Sequence, residues 1–489
     1  MQIGLQIADL IRERGPMTVA AFMDLALYHP ELGYYARADQ RSGRAGDFFT
    51  SVDVGPLFGE LLEIQLAEIA SILQATAEVA ENAERIHHNS ARSARSAVAF
   101  DLVEAGAGNG RLSADILRAA RERDRAFYDT IQLHLVEASA GARAAQRATL
   151  ADVAERLASS DASFPCSFDG VVIANELLDA LPVHQVVMRE EGLRETYVIS
   201  QRRSVLDTPE RHGARASASD SLEPLRGAGA EQQRRGWGPG AVRDGGAPRD
   251  VKNDDGLTVI EGPPSTPKLA EYLARLGIEL EAGWRVEINL RAVEWIRDAA
   301  RRLRRGFIIL IDYGHEAREL YSPTHAAGTL TSYSGHRSAG PEAPAAAASE
   351  RRESSRSGGV PGARFVRAGV PEWGWGPTSD RTSSAAAPPW LQSPGEQDIT
   401  AHVDFTSVRQ AAEEEGLQTL GFLDQTYFLM GLFPEIRNPQ STPNPQSAIR
   451  NLKTLIMPGG LGSTHKILIF GKGVGTPALR GCSYKMRVT

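Results

Sequence analysis

The chain has 489 residues, of which 42% are hydrophobic and 24% charged, as is ordinary for a globular protein, and its formal net charge is −7. This length allows one large α/β domain with additions, and the acidic balance predicts neither a nucleic-acid nor a membrane partner. The chain has two cysteines, no apolar run long enough to span a bilayer and no signal-peptide pattern at its start, which together predict a cytoplasmic protein without a disulfide framework.

Helical patterns occupy the first part of the chain. Residues 3–11 have helical spacing, and Thr18 is placed to cap a second helix. Residues 47–53 are predicted as a loop, a helix is expected from Gly55 onward, and the polar residues 75–97 are interpreted as a surface extension. We therefore expect a helical region ahead of the first strand of a sheet.

A glycine-rich turn follows the first predicted strand. The strand ends in Glu104, and Gly106, Gly108 and Gly110 come next, ahead of an amphipathic helical pattern. Strand, tight turn and helix are typical of the first βα unit of a nucleotide-binding sheet. Glycine lets the turn adopt positive φ and lets a ligand approach the backbone. A dinucleotide fingerprint would have glycine where Arg111 stands, so the spacing favours a ligand without a pyrophosphate over NAD.

An acidic residue also ends the second predicted strand, residues 131–136. A carboxylate at that position of a doubly wound sheet can accept hydrogen bonds from ribose hydroxyls. We take Glu137 as the candidate for this role, and a solvated glutamate at the end of a strand is the alternative. A helix is predicted over the Ala- and Arg-rich residues 138–158.

Polar residues crowd the segment after the third predicted strand, residues 171–174. Asn175 and Glu176 follow directly, and Asp179 lies in the same short segment. Open α/β sheets bind ligands at the carboxyl ends of their strands, so these side chains are candidate site residues. His184, further along, is interpreted as a packing histidine.

Two stretches interrupt the α/β pattern. Residues 202–255 and 338–393 are rich in Gly, Ala, Pro and Arg or Ser and contain few apolar residues, so they are predicted to be solvent-exposed insertions. The first lies between two strand-like runs and resembles an enlarged hairpin loop. Elsewhere, a strand over 307–311 ends in Asp312 and Tyr313, and the alternation of residues 466–470 predicts a strand at the sheet edge.

Several motifs resemble one known family. Glu104 followed by G-x-G-x-G is similar to motif I of class I S-adenosylmethionine (SAM) methyltransferases. The stretches GPMTVAAFMDLALYHPELGYY, GDFFTSVDVGPLFGELL, NELLDALPVH, IDYGH and GTLTSYSGHR resemble, in the same order, the methyltransferase family of bacterial MidA-like proteins and the mitochondrial complex I assembly arginine methyltransferase. The chain departs from that family at Val52 and Asp53, where Pro-Glu is usual.

The resemblance implies an α/β fold, a Rossmann-like class I SAM methyltransferase sheet with a helical N-terminal segment and substrate-side insertions. The corresponding segments are 1–98 for the helical cap, 99–201 for the SAM-binding core, 202–255 for the first insertion, 256–337 for the continuation of the core with a substrate-side region, 338–393 for the second insertion and 394–489 for the last part of the core.

The implied activity is SAM-dependent methylation of a protein arginine at a guanidino nitrogen. Two carboxylates can hold the planar guanidinium through paired hydrogen bonds, and Glu176 and Asp179 are spaced for that role. The alternative is that Asp179 caps a short helix and Glu176 is solvated. The cofactor-binding candidates are Glu104, Gly106, Gly108, Gly110, Glu137 and Asn175. The substrate-side candidates are Asp47, Asp312, Tyr313 and His336.

No metal is predicted, because methyl transfer needs none. Residues 398–404, with His402 among them, could suggest a metal site by composition, but they fit a structural turn better. Two other functions stay open, an assembly or scaffold protein that binds SAM without turnover and a methyltransferase with another acceptor. A position of Glu176 far from the glycine turn would favour the scaffold. The methyl acceptor, the oligomeric state and the role of the insertions are not predicted.

Overall fold

A computed structural model describes most of the chain outside the insertions. The described residues are 2–36, 50–88, 99–201, 256–334, 337–339, 387–435, 445–457 and 461–484. The first insertion, most of the second, and the candidates Asp47 and His336 lie outside them.

The described residues form helices and strands that alternate along the core. The helices are α1 (Gln2–Arg14), α2 (Val19–Tyr28), α3 (Leu57–His88), α4 (Arg111–Arg123), α5 (Arg125–Thr130), α6 (Ala140–Leu150), α7 (Lys268–Leu276), α8 (Leu290–Arg302), α9 (Ala317–Leu320), α10 (Phe405–Glu414), α11 (Gln425–Leu432), α12 (Pro445–Ile456) and α13 (Leu461–Thr464). The strands are β1 (Met17–Thr18), β2 (Phe100–Ala105), β3 (Ile131–Val136), β4 (Leu157–Asp161), β5 (Phe168–Asn175), β6 (His184–Arg189), β7 (Gly192–Ser200), β8 (Leu257–Gly262), β9 (Arg285–Ile288), β10 (Leu303–His315), β11 (Thr331–Ser334), β12 (Arg337–Ala339), β13 (Asp398–Thr400), β14 (Val403–Asp404), β15 (Gln418–Asp424) and β16 (His465–Lys472). None of these helices combines the length and the apolar character needed to cross a membrane.

The central sheet has the strand order β15-β16-β10-β5-β2-β3-β4, and β14 pairs with β10 beside this path. Strands β10, β5, β2, β3 and β4 pair in parallel, whereas β16 is antiparallel to both of its neighbours. The chain passes from β2 outward to β3 and β4 and then returns to β5 on the other side of β2. A sheet has its ligand crevice where the strand order reverses in this way, at the carboxyl ends of the strands.

Burial on both faces explains why the middle strands are continuously apolar. Within β10, residues 307–311 are all fully buried, and the apolar side chains of β5 and β2 contribute to the two large hydrophobic clusters that cover the opposite faces of the sheet. A parallel sheet covered by helices on both sides requires such runs. The result is the Rossmann-like sheet that the sequence predicted.

The remaining strands form two smaller sheets. One has the order β1-β7-β6-β9 with β8 paired to β7, and the other has the order β12-β11-β13. Ser200 pairs with Leu257, so the first insertion is the loop of a β-hairpin, as expected. Tyr333 pairs with Asp398, so the motif that the second insertion separates is brought together again across an antiparallel pair of strands.

Three sequence-based assignments were wrong in detail. The helix expected over 138–158 ends at Leu150, and the polar strand β4 follows at the sheet edge, where alternation of apolar residues is weak. Strand β16 lies inside the sheet between β10 and β15 and is not an edge strand. Helix α3 continues to His88, through much of the segment interpreted as a surface extension.

The hairpin register predicts that the first insertion is dispensable for folding. The Gln201 amide donates to the Gly256 carbonyl at 2.8 Å, which is a geometry that a two-residue Asn-Gly turn can close. We expect replacement of residues 202–255 by Asn-Gly to raise the free energy of unfolding by roughly 2 kcal/mol, because a shorter loop loses less entropy on closing. Chemical denaturation followed by circular dichroism measures this change.

A control deletion that also removes β8 should be clearly less stable, since β7 then loses the strand that pairs with residues 195–200. A loss of cooperative unfolding in the Asn-Gly variant itself would show that the insertion supports the sheet.

Candidate active site

The glycine turn lies at the carboxyl end of β2 and leads into α4. Gly106, Gly108 and Gly110 have φ values of 68°, 50° and 82°, which side chains with a Cβ adopt only at a cost. A Cβ on Gly108 would have no heavy atom within 4 Å, so this part of the turn faces open space. A Cβ on Gly106 would instead lie 2.9 Å from Leu177 in the loop after β5. The two loops are therefore in contact, as a shared crevice requires.

Glu137 joins the glycine turn to the segment after β3. Its carboxylate accepts the amide of Gly108 at 2.8 Å and the amide of Ser139 at 2.7 Å. The side chain is thus held at the turn, unlike the solvated glutamate that was the alternative. A carboxylate has about four acceptor positions, so lone pairs stay available for the two hydroxyls of a ribose. The arrangement fits the nucleoside part of SAM.

Glu104 is directed away from the crevice, toward α4. Its carboxylate is buried and accepts both the amide and the hydroxyl of Ser113. Burial raises the pKa of Glu104 to about 7, although the hydrogen bonds from Ser113 oppose that rise. These contacts fix the helix that follows the turn, so Glu104 acts on the candidate cofactor site through α4.

The position of Arg111 has a structural explanation. Its guanidinium lies 3.0 Å from the carboxylate of Asp53, which also accepts the amide and hydroxyl of Thr50. The short helical turn Ser51–Val54 is thereby attached to the start of α4. The departure from Pro-Glu at this place is compensated by an ion pair and a capping box.

Glu176 lies at the centre of the crevice in a left-handed backbone conformation, with φ 50°. Its Oε1 atom accepts hydrogen bonds from the backbone amide of Ser51 and the side-chain amide of Asn175, each at 3.3 Å. The same atom lies 3.4 Å from Nε2 of His465. The Tyr313 hydroxyl lies 3.5 Å from Oε2. Only 9% of the Glu176 side chain is exposed, so this carboxylate is held by its neighbours and is not solvated.

Asp179 is buried three residues further on. Its Oδ1 atom has no hydrogen-bond partner among the described residues. Burial raises the pKa of Asp179 well above its ordinary value, and the negative charges of Asp312, Asp398 and Glu176 raise it further. Residues 177–183 contain a turn and no helix, so the alternative in which Asp179 caps a helix was wrong.

Asp312 holds this loop in place. Its carboxylate accepts the amides of Leu177 at 3.1 Å, Leu178 at 2.7 Å and Tyr313 at 2.8 Å. Burial raises the pKa of Asp312 to about 7 in spite of these donors. The predicted substrate-side residue is therefore engaged with the backbone and positions the segment that contains Glu176 and Asp179.

Tyrosines from distant segments complete the wall. The Tyr35 hydroxyl donates to Asp398 at 2.7 Å, and the Tyr28 hydroxyl donates to the Ala180 carbonyl at 3.1 Å. Burial raises the pKa of Tyr333, and the negative charges of Asp179 and Asp398 raise it further. The motif LYHPELGYY is the sequence signal that could have identified Tyr28 and Tyr35.

No sequence motif marks His465, because it is a single histidine at the start of the apolar strand β16. It is fully buried, and its ring stacks at 4.0 Å from that of Tyr313. Burial alone would lower the pKa of His465, but its hydrogen bond to Glu176 and the charge of that carboxylate outweigh burial and raise it. His184, by contrast, contacts the buried Glu195 at 2.7 Å and is a packing residue, as interpreted from the sequence.

The fold and the crevice define a class of protein, the Rossmann-like enzymes whose glycine turn and strand-end acid hold a nucleoside without a pyrophosphate. Comparison with known proteins identifies the family within this class. A family model described as "Putative S-adenosyl-L-methionine-dependent methyltransferase" matches residues 79–345 and 379–423, which is more than half of the chain. The chain belongs to this family, and the predicted family, fold and cofactor are confirmed.

Curated relatives are similar over part of the chain. The mitochondrial protein arginine methyltransferase NDUFAF7 of Mus musculus is 32% identical over 212 residues, 38% of this chain and 43% of the relative. The Homo sapiens protein of the same name is 31% identical over 211 residues, 38% of this chain and 43% of the relative. The matched region thus spans less than half the length of these relatives.

A solved structure matches over the whole fold. A protein from Burkholderia thailandensis, bound to S-adenosyl-homocysteine, superposes with a TM-score of 0.68 and 23% sequence identity, covering 100% of this chain and 96% of that one. This likeness shows that the two chains share a fold.

The geometry of the turn predicts that Gly108→Val weakens SAM binding. Valine would be strained at φ 50° and would fill the open space beside the turn. We expect affinity to fall at least about tenfold in calorimetric titration with SAM, which corresponds to a loss of about 1.4 kcal/mol in binding free energy.

Gly277→Val is the matched control, because Gly277 has φ 65° and equally open surroundings at the end of α7. Both variants should lose about 1–2 kcal/mol of stability. Equal SAM binding by the two would mean that the turn does not hold the cofactor.

The raised pKa of Glu104 predicts a pH-dependent stability. Burial raises the pKa of this carboxyl from its ordinary value of 4.5 to about 7 in the folded protein, so its contribution to stability is complete below pH 4.5 and is lost as the pH rises through 7. The difference in unfolding free energy between wild type and Glu104→Gln should therefore shift against the wild type by about 3 kcal/mol over this window.

Urea denaturation at a series of pH values measures this shift, with the exposed Glu31→Gln as control. A pH-independent difference between wild type and Glu104→Gln would show that Glu104 is ionised throughout.

Proposed function

We propose that this protein methylates a guanidino nitrogen of arginine in a protein substrate, with SAM as the methyl donor. Support comes from the charge and the unfilled hydrogen bonds of the crevice. The name of the curated relatives, protein arginine methyltransferase, points to the same acceptor.

One observation carries the proposal, the concentration of buried carboxylates that no lysine or arginine of the described residues neutralises. The basic side chain that contacts them is His465, whose Nε2 lies 3.4 Å from Glu176. No lysine or arginine of the described residues forms a salt bridge with Glu176, Asp179 or Asp312. Several buried carboxylates without a lysine or arginine counterion are costly even when amides donate to them, so such a group is adapted to a cation that arrives from outside. A guanidinium fits, because it stays charged and offers five N–H donors in one plane.

Free acceptor atoms line the same wall. Asn175 Oδ1 and Asp179 Oδ1 are buried and have no donor among the described residues, and they flank Glu176 in sequence. Two acceptors beside one held carboxylate can take several N–H groups of a guanidinium at once. This geometry would fix the plane of the acceptor relative to the glycine turn.

SAM, when bound at the glycine turn and Glu137, supplies a methyl carbon that is activated for displacement. Positioning of the acceptor nitrogen is then the main task of the protein. We propose that Glu176 holds the guanidinium and that Asp312 positions Glu176 through the backbone of Leu177 and Leu178. The methylated nitrogen must release one proton, and Asp179 is the group whose raised pKa suits it to accept that proton.

The scaffold alternative has no observation in its favour. A Glu176 far from the glycine turn would support the scaffold function. In the structure Leu177, the residue after Glu176, packs against Gly106 of that turn. The discriminating result is turnover itself.

Substitution of Glu176 by Gln tests the proposed clamp. The amide keeps the shape of the side chain but removes its charge, so we expect methyl transfer to fall about a hundredfold while the dissociation constant for SAM changes less than about threefold. Transfer of label from methyl-labelled SAM to protein, followed by amino-acid analysis, measures both the rate and the acceptor.

Glu63→Gln is the matched control. Glu63 is also a buried glutamate, but it lies on α3, with its carboxylate 3.7 Å from Arg123. Loss of SAM binding in Glu176→Gln would mean that its role was misassigned. Label found on lysine would retain the methyltransferase and reject the arginine acceptor, and no turnover by the folded wild type would favour the scaffold.

A further inference from the structure

Three histidines from separate segments meet beside the active site. His315 ends β10, His325 lies in the short turn Pro323–His325, and His402 stands between β13 and β14. One ring nitrogen from each can be chosen so that all three lie within 4.8 Å of one another. The ring centroid of His315 lies 4.9 Å from that of His325 and 5.3 Å from that of His402. Sequence separation hides this cluster, because only the fold brings the segments together.

The surroundings of two of the rings resemble those of metal ligands. Nδ1 of His315 lies 3.0 Å from the carboxylate of Glu319, and Nδ1 of His325 lies 3.0 Å from the backbone carbonyl of the same residue. Histidines that bind metals commonly direct their other ring nitrogen to a carboxylate or a carbonyl, which fixes the tautomer and orients the ring. Both contacts leave Nε2 as the nitrogen available to an ion.

Burial also favours the neutral form of two of the rings, which is the form that binds a metal. Desolvation lowers the pKa of His402 to about 4, with further lowering by the positive charges that His315 and His325 would carry. Desolvation likewise lowers the pKa of His315. A neutral imidazole has a lone pair to donate, whereas three protonated rings at this distance would repel one another.

We propose that His315, His325 and His402 bind one Zn²⁺ ion. Zinc takes imidazole nitrogens at about 2.0–2.1 Å in tetrahedral geometry, which places the nitrogens about 3.4 Å apart. Solvent can supply the fourth ligand. The site lies outside the methyl-transfer chemistry and adds a metal to a protein for which the sequence predicted none.

The ion would act by fixing the segments that frame the acceptor crevice. Ala401, next to His402, donates its amide to the Asp179 carbonyl at 2.9 Å. The amide of His402 donates to the hydroxyl of Thr329 at 3.1 Å. His315 follows Asp312 and Tyr313 on the same strand. A zinc ion would thus join the ends of β10 and β13 and the turn between them, behind the loop that holds Asp179.

The test is metal binding by the purified full-length chain after treatment with a chelator. Calorimetric titration with Zn²⁺ should show one site per chain, and Co²⁺ should give the visible absorption of a tetrahedral complex. Mg²⁺ should not compete, because it prefers oxygen ligands. The melting temperature should rise with Zn²⁺ concentration, since an ion that binds only the folded state stabilises it.

Substitutions locate the site. His402→Ala and His325→Ala should each weaken Zn²⁺ binding at least about tenfold and abolish the cobalt spectrum. His134→Ala is the matched control, because His134 is a partly buried histidine that contacts Ser159 at 2.8 Å on β4, away from the cluster. His325→Gln provides a variant in a surface turn in case His402→Ala does not fold.

The proposal is overturned if the wild type shows no saturable Zn²⁺ binding. It is equally overturned if binding survives in both cluster variants, or if His134→Ala weakens it to the same degree.

Discussion

The crevice depends on one set of contacts, in which the buried carboxylate of Asp312 accepts hydrogen bonds from three backbone amides. It attaches the end of β10 to the first residues after β5, at the place where the strand order of the sheet reverses. Hydrogen bonds to a charged acceptor are stronger than those between neutral groups, and here they hold a loop that contains a residue in a left-handed conformation. Such strain, of order 1–3 kcal/mol, persists only where its surroundings over-determine it. Glu176 is kept in the crevice by this support.

Two kinds of acid occur around the crevice, and their hydrogen bonds differ. Glu104 is satisfied internally by Ser113, and Glu137 by the amides of Gly108 and Ser139. The Oδ1 atom of Asp179, by contrast, has no hydrogen-bond donor among the described residues. Burial raises the pKa of Asp179, and the negative charges of neighbouring carboxylates raise it further. A perturbed and unsatisfied group in a cleft is characteristic of a site that acts on a ligand. The contrast separates the acids whose hydrogen bonds are filled within the protein from the one that keeps a free acceptor atom, to which we assign a role toward the proposed acceptor.

The fold tolerates large insertions because of where they occur. The first connects two strands that already pair to their ends, and the second separates two strands that pair again beside the crevice. Loop length adds only a slowly growing entropy to the cost of folding, so the paired strands can still meet. The same antiparallel pair brings Asp398 to Tyr35 and carries His402 toward the other two histidines.

The sequence by itself determined the parts whose signals are local. Strand β3 runs over the residues expected, Thr18 caps α2 through its side chain, and the order of strand, glycine turn and helix around Gly108 was evident from neighbouring residues. Each depends on periodicity, capping or backbone freedom within a few positions of the chain. The family motifs added the cofactor, because they too are contiguous.

Only the tertiary structure decided the contacts between distant segments. Sequence analysis placed Asp312 on the substrate side, but its grip on the backbone of Leu177 and Leu178 depends on the parallel register of β10 and β5. His465 reaches Glu176 because β16 lies inside the sheet, whereas the alternation of residues 466–470 had predicted an edge strand. The histidine cluster arises in the same way. Side chains far apart in sequence meet through strand pairing, and the local pattern of the chain contains no record of which strands will pair.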